Sequence, residues 1–322
     1  MRINNKLSAI MTILTIASFA GGQQAMSQPT DPTTPTSSGP QWQKPFPLGF
    51  SLEYTLVSDF VWRGMNLSEY PGEGREKPNH QLCATMELDT TDILGEGTYF
   101  GTLGGSVWFQ WYAAQQRLTP WADTNLQEVD FGVSWTYEID TINTSVELGW
   151  LAYHFPPYRR SGSPESDVSS TCEVYAKVSF DDSLIFGRSL FNPYIAYYHD
   201  MDLVKAGWFE LGVSHDFELS QLGMDDMPVL KDITITPSVV LGISHRFYDK
   251  GDVGSANSVA TSLGNLEYGL DITYDLSGAL GMPQKYGTLS IGGFINFSQA
   301  FHNTSPDIND VLYGGMTLGY SW

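Results

Sequence analysis

The segment Leu312–Trp322 constrains the chain more than any other. Its even positions are Leu312, Gly314, Met316, Leu318, Tyr320 and Trp322, and its odd positions are Tyr313, Gly315, Thr317, Gly319 and Ser321. This is a period of two, with one apolar face and one small or polar face, the signature of a β-strand between two different surroundings. A soluble domain would leave the Tyr-x-Trp end wet. The wall of a barrel in a membrane sets it against lipid, with the aromatic ring at the interface.

Composition agrees with many short strands. The 322 residues include 32 Gly, 9 Trp, 17 Tyr and 17 Phe, and only 16% are charged, against about 25% in ordinary soluble domains. A net charge of −20 argues against a nucleic-acid partner, because phosphate binding needs a basic surface. The terminal segment resembles the closing strand of bacterial outer-membrane β-barrels, and the resemblance implies a signal for membrane assembly at Tyr320 and Trp322.

Residues 1–20 read as a secretory signal peptide. Arg2 and Lys6 form the charged start, Leu7 to Phe19 the apolar run, and Ser18 and Ala20 the small residues before cleavage. The apolar run is too short to span a bilayer as a helix, and no run of about 18 apolar residues follows, so entry into a membrane is expected through strands. Residues 21–45 form a linker rich in Pro, Thr and Ser, with nothing to bury.

Residues 46–322 are predicted to form a transmembrane, antiparallel, up-and-down barrel of about 12 strands. Alternation places them near 48–63, 79–89, 98–112, 126–139, 143–155, 169–180, 192–200, 206–219, 232–247, 264–275, 287–300 and 310–322. The seventh and tenth are the weakest patterns. With the N-terminus in the periplasm, the outer connections are generally the longer ones. Trp62, Trp111, Phe247 and Phe297 then form one aromatic girdle, and Tyr137, Phe217, Tyr274 and Trp322 the other.

The stretch Ser58-Asp59-Phe60-Val61-Trp62-Arg63-Gly64, followed by Ser68-Glu69, resembles the first strand of the TorF-like porin family, of form Ser-Asp-aromatic-x-x-Arg-Gly. Phe60 stands where the family more often carries Tyr. The resemblance covers one strand and implies an outer-membrane channel of undefined substrate.

Strand parity assigns the lumen face. It collects Glu53, Asp59, Arg63, Glu87, Glu128, Asp130, Glu147, Glu173, Lys177, Glu210, Asp216, Glu218, Arg246, Glu267 and Asp271 as pore-lining candidates. Acids outnumber bases heavily, which points to a water-filled, cation-preferring pore for small solutes. The alternative is a blocked lumen around Arg63, Lys177 and Arg246, as in a structural or adhesive barrel.

Catalytic patterns are weak. Ser214-His215 and Ser244-His245 pair a nucleophile with a base, but neighbouring strand residues point to opposite faces. A lipid hydrolase assembled between strands is the remaining enzymatic reading. The loop acids Asp123, Asp249, Asp252, Asp307 and Asp310 do not have calcium-loop spacing. No cofactor, metal or catalytic residue is expected. Expected partners are outer-membrane lipids, lipopolysaccharide, the barrel-assembly machinery and small solutes; monomer and homo-oligomer are both open. Cys83 has lumen parity and Cys172 lipid parity on strands four apart, so both thiols are expected to be free.

Deleting Trp322, or the change Trp322→Asp, is expected to leave a protease-sensitive chain in the periplasm. Fractionation and heat-modifiability on gels check this; normal outer-membrane levels of folded barrel would contradict it.

Overall fold

The computed structural model describes residues 48–68, 78–94, 99–112, 126–154, 170–202, 204–227, 229–247, 261–301 and 308–322. The expected signal peptide and linker, Glu69, and the loop acids Asp123, Asp249, Asp252 and Asp307 lie outside them.

Twelve antiparallel strands form one closed sheet: β1 Leu48–Val57, β2 Asn79–Asp89, β3 Thr102–Tyr112, β4 Leu126–Ile139, β5 Thr144–His154, β6 Ser170–Phe180, β7 Tyr194–Asp200, β8 Gly207–Ser214, β9 Ile233–His245, β10 Ser262–Asp275, β11 Thr288–Ala300 and β12 Val311–Ser321. Each pairs with its chain neighbours, and β1 pairs with β12 to close the wall. After two residues β8 resumes at Phe217–Glu218, still paired to β9. The seam holds because Phe50 and Trp322 exchange both backbone hydrogen bonds, at 2.8 and 2.9 Å. Among the described residues no helix is long and apolar enough to cross a membrane; crossing falls to the strands, whose closure leaves no unpaired edge in lipid.

The sequence explains the two faces. Large side chains such as Leu56, Met86, Phe131, Leu148, Val174, Ile195, Leu270, Ile295 and Met316 are exposed, an apolar belt that no water-facing surface would carry. Every Asp, Glu, Lys and Arg within the twelve strands has the opposite parity and faces the lumen. A charge in the hydrocarbon costs up to a few kcal/mol, so this segregation defines the transmembrane barrel.

The two weak patterns have local causes. In β7 the aromatic residues Tyr194 and Tyr198 face the lumen while Ile195 and Tyr197 face lipid, so size no longer reports the face. In β10 a register shift against β9 near Leu241 and Ile243 inserts an irregularity where the strand begins.

The first strand differs from expectation. It ends at Val57, not at residue 63. The chain then turns into the lumen as a small hairpin, in which Val61 pairs with Asn66 and Trp62 with Met65. Arg63 and Gly64 form its two-residue turn with φ of 47° and 80°, the positive values that a mirror-image hairpin turn requires. A Cβ on Gly64 would sit 2.9 Å from Asn265 Cβ, so both conformation and space demand glycine there. Trp62 and Phe247, expected in an aromatic girdle, are instead buried inside the barrel beside Phe60. They leave the girdle because the strand they were assigned to has ended.

Cys83 is buried in the lumen and Cys172 lies on the other face of β6, and the two are not joined in a disulfide. Alkylation of the unfolded, non-reduced chain is expected to modify both cysteines in mass spectra; a linked Cys83–Cys172 peptide would contradict the strand order.

Candidate functional site: the lumen

The lumen has two unlike halves. One end of the barrel carries the short helices and the 3-10 turn at Asp140–Ile142; this is the turn end. The other, where β1 finishes, is the loop end. Towards the turn end the lumen face is built of small and polar residues such as Gly104, Ser134, Thr136, Thr273 and Ser290, and the acids Glu53, Glu87 and Glu138 are exposed there. Towards the loop end the lumen is packed. Phe60, Trp62, Met65, Trp108, Tyr198, Trp208, Phe247 and Ile308 form one buried cluster.

The hairpin is tied into place by polar bonds. Ser58 N donates to Gly314 O at 2.8 Å, and Gly314 N donates back to Ser58 Oγ at 3.1 Å. Phe60 N donates to Ser68 Oγ at 2.7 Å, and Asn66 Nδ2 to Asp59 Oδ1 at 3.0 Å. Asn79 Nδ2 donates to Ser68 Oγ, and Gln110 Nε2 to Asn79 Oδ1 at 3.3 Å. Ser58 therefore anchors the hairpin to the wall, Asp59 braces it from within, and Ser68 ties its other foot to Asn79.

Arg63 sits at the tip. Its two terminal nitrogens donate to both oxygens of Glu173 at 2.9 and 3.0 Å, with the two side chains 2% exposed. The guanidinium carbon lies 4.5 Å from the Trp62 ring, 4.6 Å from Phe247, 5.3 Å from Tyr198 and 5.5 Å from Trp208. A planar, weakly hydrated cation suits such a box, since it pairs in its plane and stacks on its faces. Glu173 is on β6, five strands from β1, so the bond crosses the lumen. Tyr153 OH donates to its second oxygen at 3.0 Å. Beside it Trp208 Nε1 donates to Glu210 Oε1 at 3.2 Å. Trp208 lies over Gly242, where a Cβ would come within 2.2 Å of the indole.

The other acids assigned to the lumen by parity lie on the lumen face, several held by neutral donors. Tyr175 OH donates to Glu147 Oε1 at 2.5 Å, Tyr313 OH to Glu267 Oε2 at 2.9 Å, and Thr55 Oγ1 to Glu53 at 3.4 Å. Asp271 pairs in register with Thr236, whose hydroxyl donates to Asp216 at 2.6 Å. Lys177 Nζ lies 4.8 Å from the Tyr194 ring. Arg246 differs from its assignment: it follows the end of β9, is exposed, and has φ of 60°. Asp59 and Arg63 enter the lumen through the hairpin and not through strand parity.

Two kinds of residue escaped the sequence reading. The inward tyrosines were hidden because aromatic residues also mark the lipid face. Asp200 is a loop clamp: its Oδ1 accepts from Val204 N at 2.7 Å and Lys205 N at 3.0 Å, and its Oδ2 from Thr171 at 2.8 Å. Asp182 does the same at the turn end for Leu190 N and Phe191 N, at 2.7 and 2.9 Å. Clamps of this kind give only the weak signal of an Asp at the mouth of a tight turn.

The serine–histidine neighbours do not converge. Ser244 Oγ accepts from Phe247 N at 3.0 Å inside the barrel, whereas His245 Nδ1 meets Thr261 Oγ1 at 3.0 Å. His215 packs on Phe217, with ring centres 4.3 Å apart.

Neither a family model nor a curated relative matches the sequence. Among solved structures the chain is similar to the KdgM porin, with TM-score 0.44 and 9% identity over 84% of this chain and 99% of that one. It is similar to the NanC porin, with TM-score 0.39 and 13% identity over 85% and 98%. It is also similar to outer membrane phospholipase A from Escherichia coli, with TM-score 0.37 and 12% identity over 84% and 92%. The fold assignment rests on the strand pairing itself.

Arg63→Met leaves Glu173 buried without its cation, a change expected to cost about 3–5 kcal/mol. Denaturant unfolding in detergent should show the loss, or proteolysis should show cleavage within 58–68 if the hairpin leaves the lumen. The double change Arg63→Met with Glu173→Gln should recover more than half of it. A single variant with an unchanged midpoint and an intact hairpin would contradict the role of the pair.

Proposed function

We propose that the chain is an outer-membrane channel for small hydrophilic solutes, preferring cations, whose loop end is narrowed by the hairpin 58–68. The reading places the loop end at the cell exterior and the turn end in the periplasm, after export through a cleaved signal peptide at residues 1–20. One observation carries it: every charged residue of the strands faces the lumen, and Glu53, Glu87 and Glu138 are exposed there. Exposed carboxylates on an inward face need water around them. Acidic walls attract cations and repel anions. The pore-lining roles of Glu53, Glu87, Glu128, Asp130, Glu147, Glu173, Glu210, Asp216, Glu267 and Asp271, with Lys177 as the counterweight, belong to this reading.

A second reading has its own observation, the buried aromatic cluster that fills the loop end. On it the barrel is a closed wall with little conduction. Planar-bilayer recording separates the two. The channel reading expects discrete conductance in the wild type and a larger conductance in Arg63→Met. Silence in both would leave the blocked barrel.

The reversal potential in a salt gradient is expected to show cation preference near 0.1 M salt. The preference should fade towards 1 M, as the screening length shrinks from about 10 Å to about 3 Å. Neutralising Glu53, Glu87 and Glu147 together (to Gln) should lower it at low salt. Anion preference at low salt would overturn the charge argument.

A further inference from the structure

Gln110 on β3 and Glu128 on β4 are register partners, and Asp130 follows Glu128 on the same face. Gln110 and Glu128 are wholly buried and Asp130 is 8% exposed. The Gln110 amide nitrogen is spent on Asn79. Its carbonyl Oε1, both oxygens of Glu128 and Oδ1 of Asp130 have no hydrogen-bond partner among the described residues. Among the described residues, the terminal nitrogens of Arg63 donate to Glu173, and Lys177 lies over the Tyr194 ring.

Four buried acceptor oxygens side by side cannot be left so, because each forfeits its hydration without return. A proton shared between the carboxyls would join one Glu128 oxygen to Asp130 Oδ1 and still leave the other Glu128 oxygen and Gln110 Oε1 bare. A hard cation takes several oxygens at once, from carboxylates and amide carbonyls alike. Two carboxylates also match the charge of a divalent ion.

We infer that Gln110, Glu128 and Asp130 form a binding site for one divalent cation of the calcium or magnesium class, on the lumen wall at the foot of the hairpin. Water completes its coordination. The site is linked to the hairpin, since Gln110 holds Asn79, Asn79 holds Ser68, and Ser68 holds Phe60 N. A bound ion fixes Gln110 and so braces that relay. The inference does not depend on conduction, so it stands or falls separately from the channel.

The test uses the full mature chain folded in detergent, stripped with chelator and titrated with calcium chloride and, separately, magnesium chloride in a calorimeter. The expected result is one saturable site per chain for at least one ion, with Kd of about 1 mM or tighter, and a raised unfolding midpoint in its presence. Glu128→Gln and Asp130→Asn should each remove the binding, while Glu87→Gln keeps it. A second measurement needs no acid variant: terbium replaces the ion, and its emission excited through tryptophan should fall in Trp108→Phe, since Trp108 is the register partner of Asp130. No saturable binding of either ion to the wild type would overturn the site. So would binding that survives in both acid variants, or terbium emission indifferent to Trp108.

Discussion

Hydrogen-bond closure governs this molecule. In hydrocarbon a backbone N–H or C=O has no water to fall back on, so each strand needs two neighbours and the sheet must meet itself. The meeting occurs at β1 and β12, where Leu52 stands opposite Tyr320 and Tyr54 opposite Leu318. All else follows from that ring. Once twelve strands close, one face of every strand belongs to lipid and the other to a shared interior, and the period of two becomes a sorting rule for chemistry.

The interior then presents a problem that closure creates. Acids sorted inward crowd one another, and a ring of this size leaves space that side chains from the wall alone do not fill. The chain answers differently at its two ends. At the turn end the carboxylates stay exposed. At the loop end the hairpin after β1 carries a cation and aromatic rings into the space, and Arg63 meets Glu173 there. Buried ion pairs are poor sources of net stability but effective devices for selecting one arrangement, because the unpaired alternatives are so costly. Arg63, paired with Glu173 and boxed by aromatic rings, is such a device.

The strand count, the topology and the two faces were legible in the sequence because they rest on local alternation. Twelve predicted segments correspond one to one with the twelve observed strands. The hairpin was not legible, and the reason is physical. Residues 58–63 continue the period of two with large even residues, so parity reads them as more strand. Nothing local states that Phe60 and Trp62 meet Trp108, Trp208 and Phe247 instead of lipid. The sign lay in Arg63-Gly64, a pair able to take two consecutive positive φ values. The acids were found by parity, but their tyrosine partners were not, since an aromatic residue suits either face of such a wall. Arg246 was misplaced by two residues' worth of strand end.

A thin cylinder resists stretching around its rim far better than flattening across its diameter. The ladder of hydrogen bonds supplies the first resistance and offers little of the second. The bond from Arg63, on the hairpin that follows β1, to Glu173, near the opposite wall on β6, is a spoke. It joins residues 110 apart in sequence across the line along which lateral pressure from the bilayer would crush the ring. The barrel is therefore stiffened at the loop end and compliant at the turn end, so ovalisation driven by lipid packing is concentrated where the wall is lined with glycine, serine and threonine.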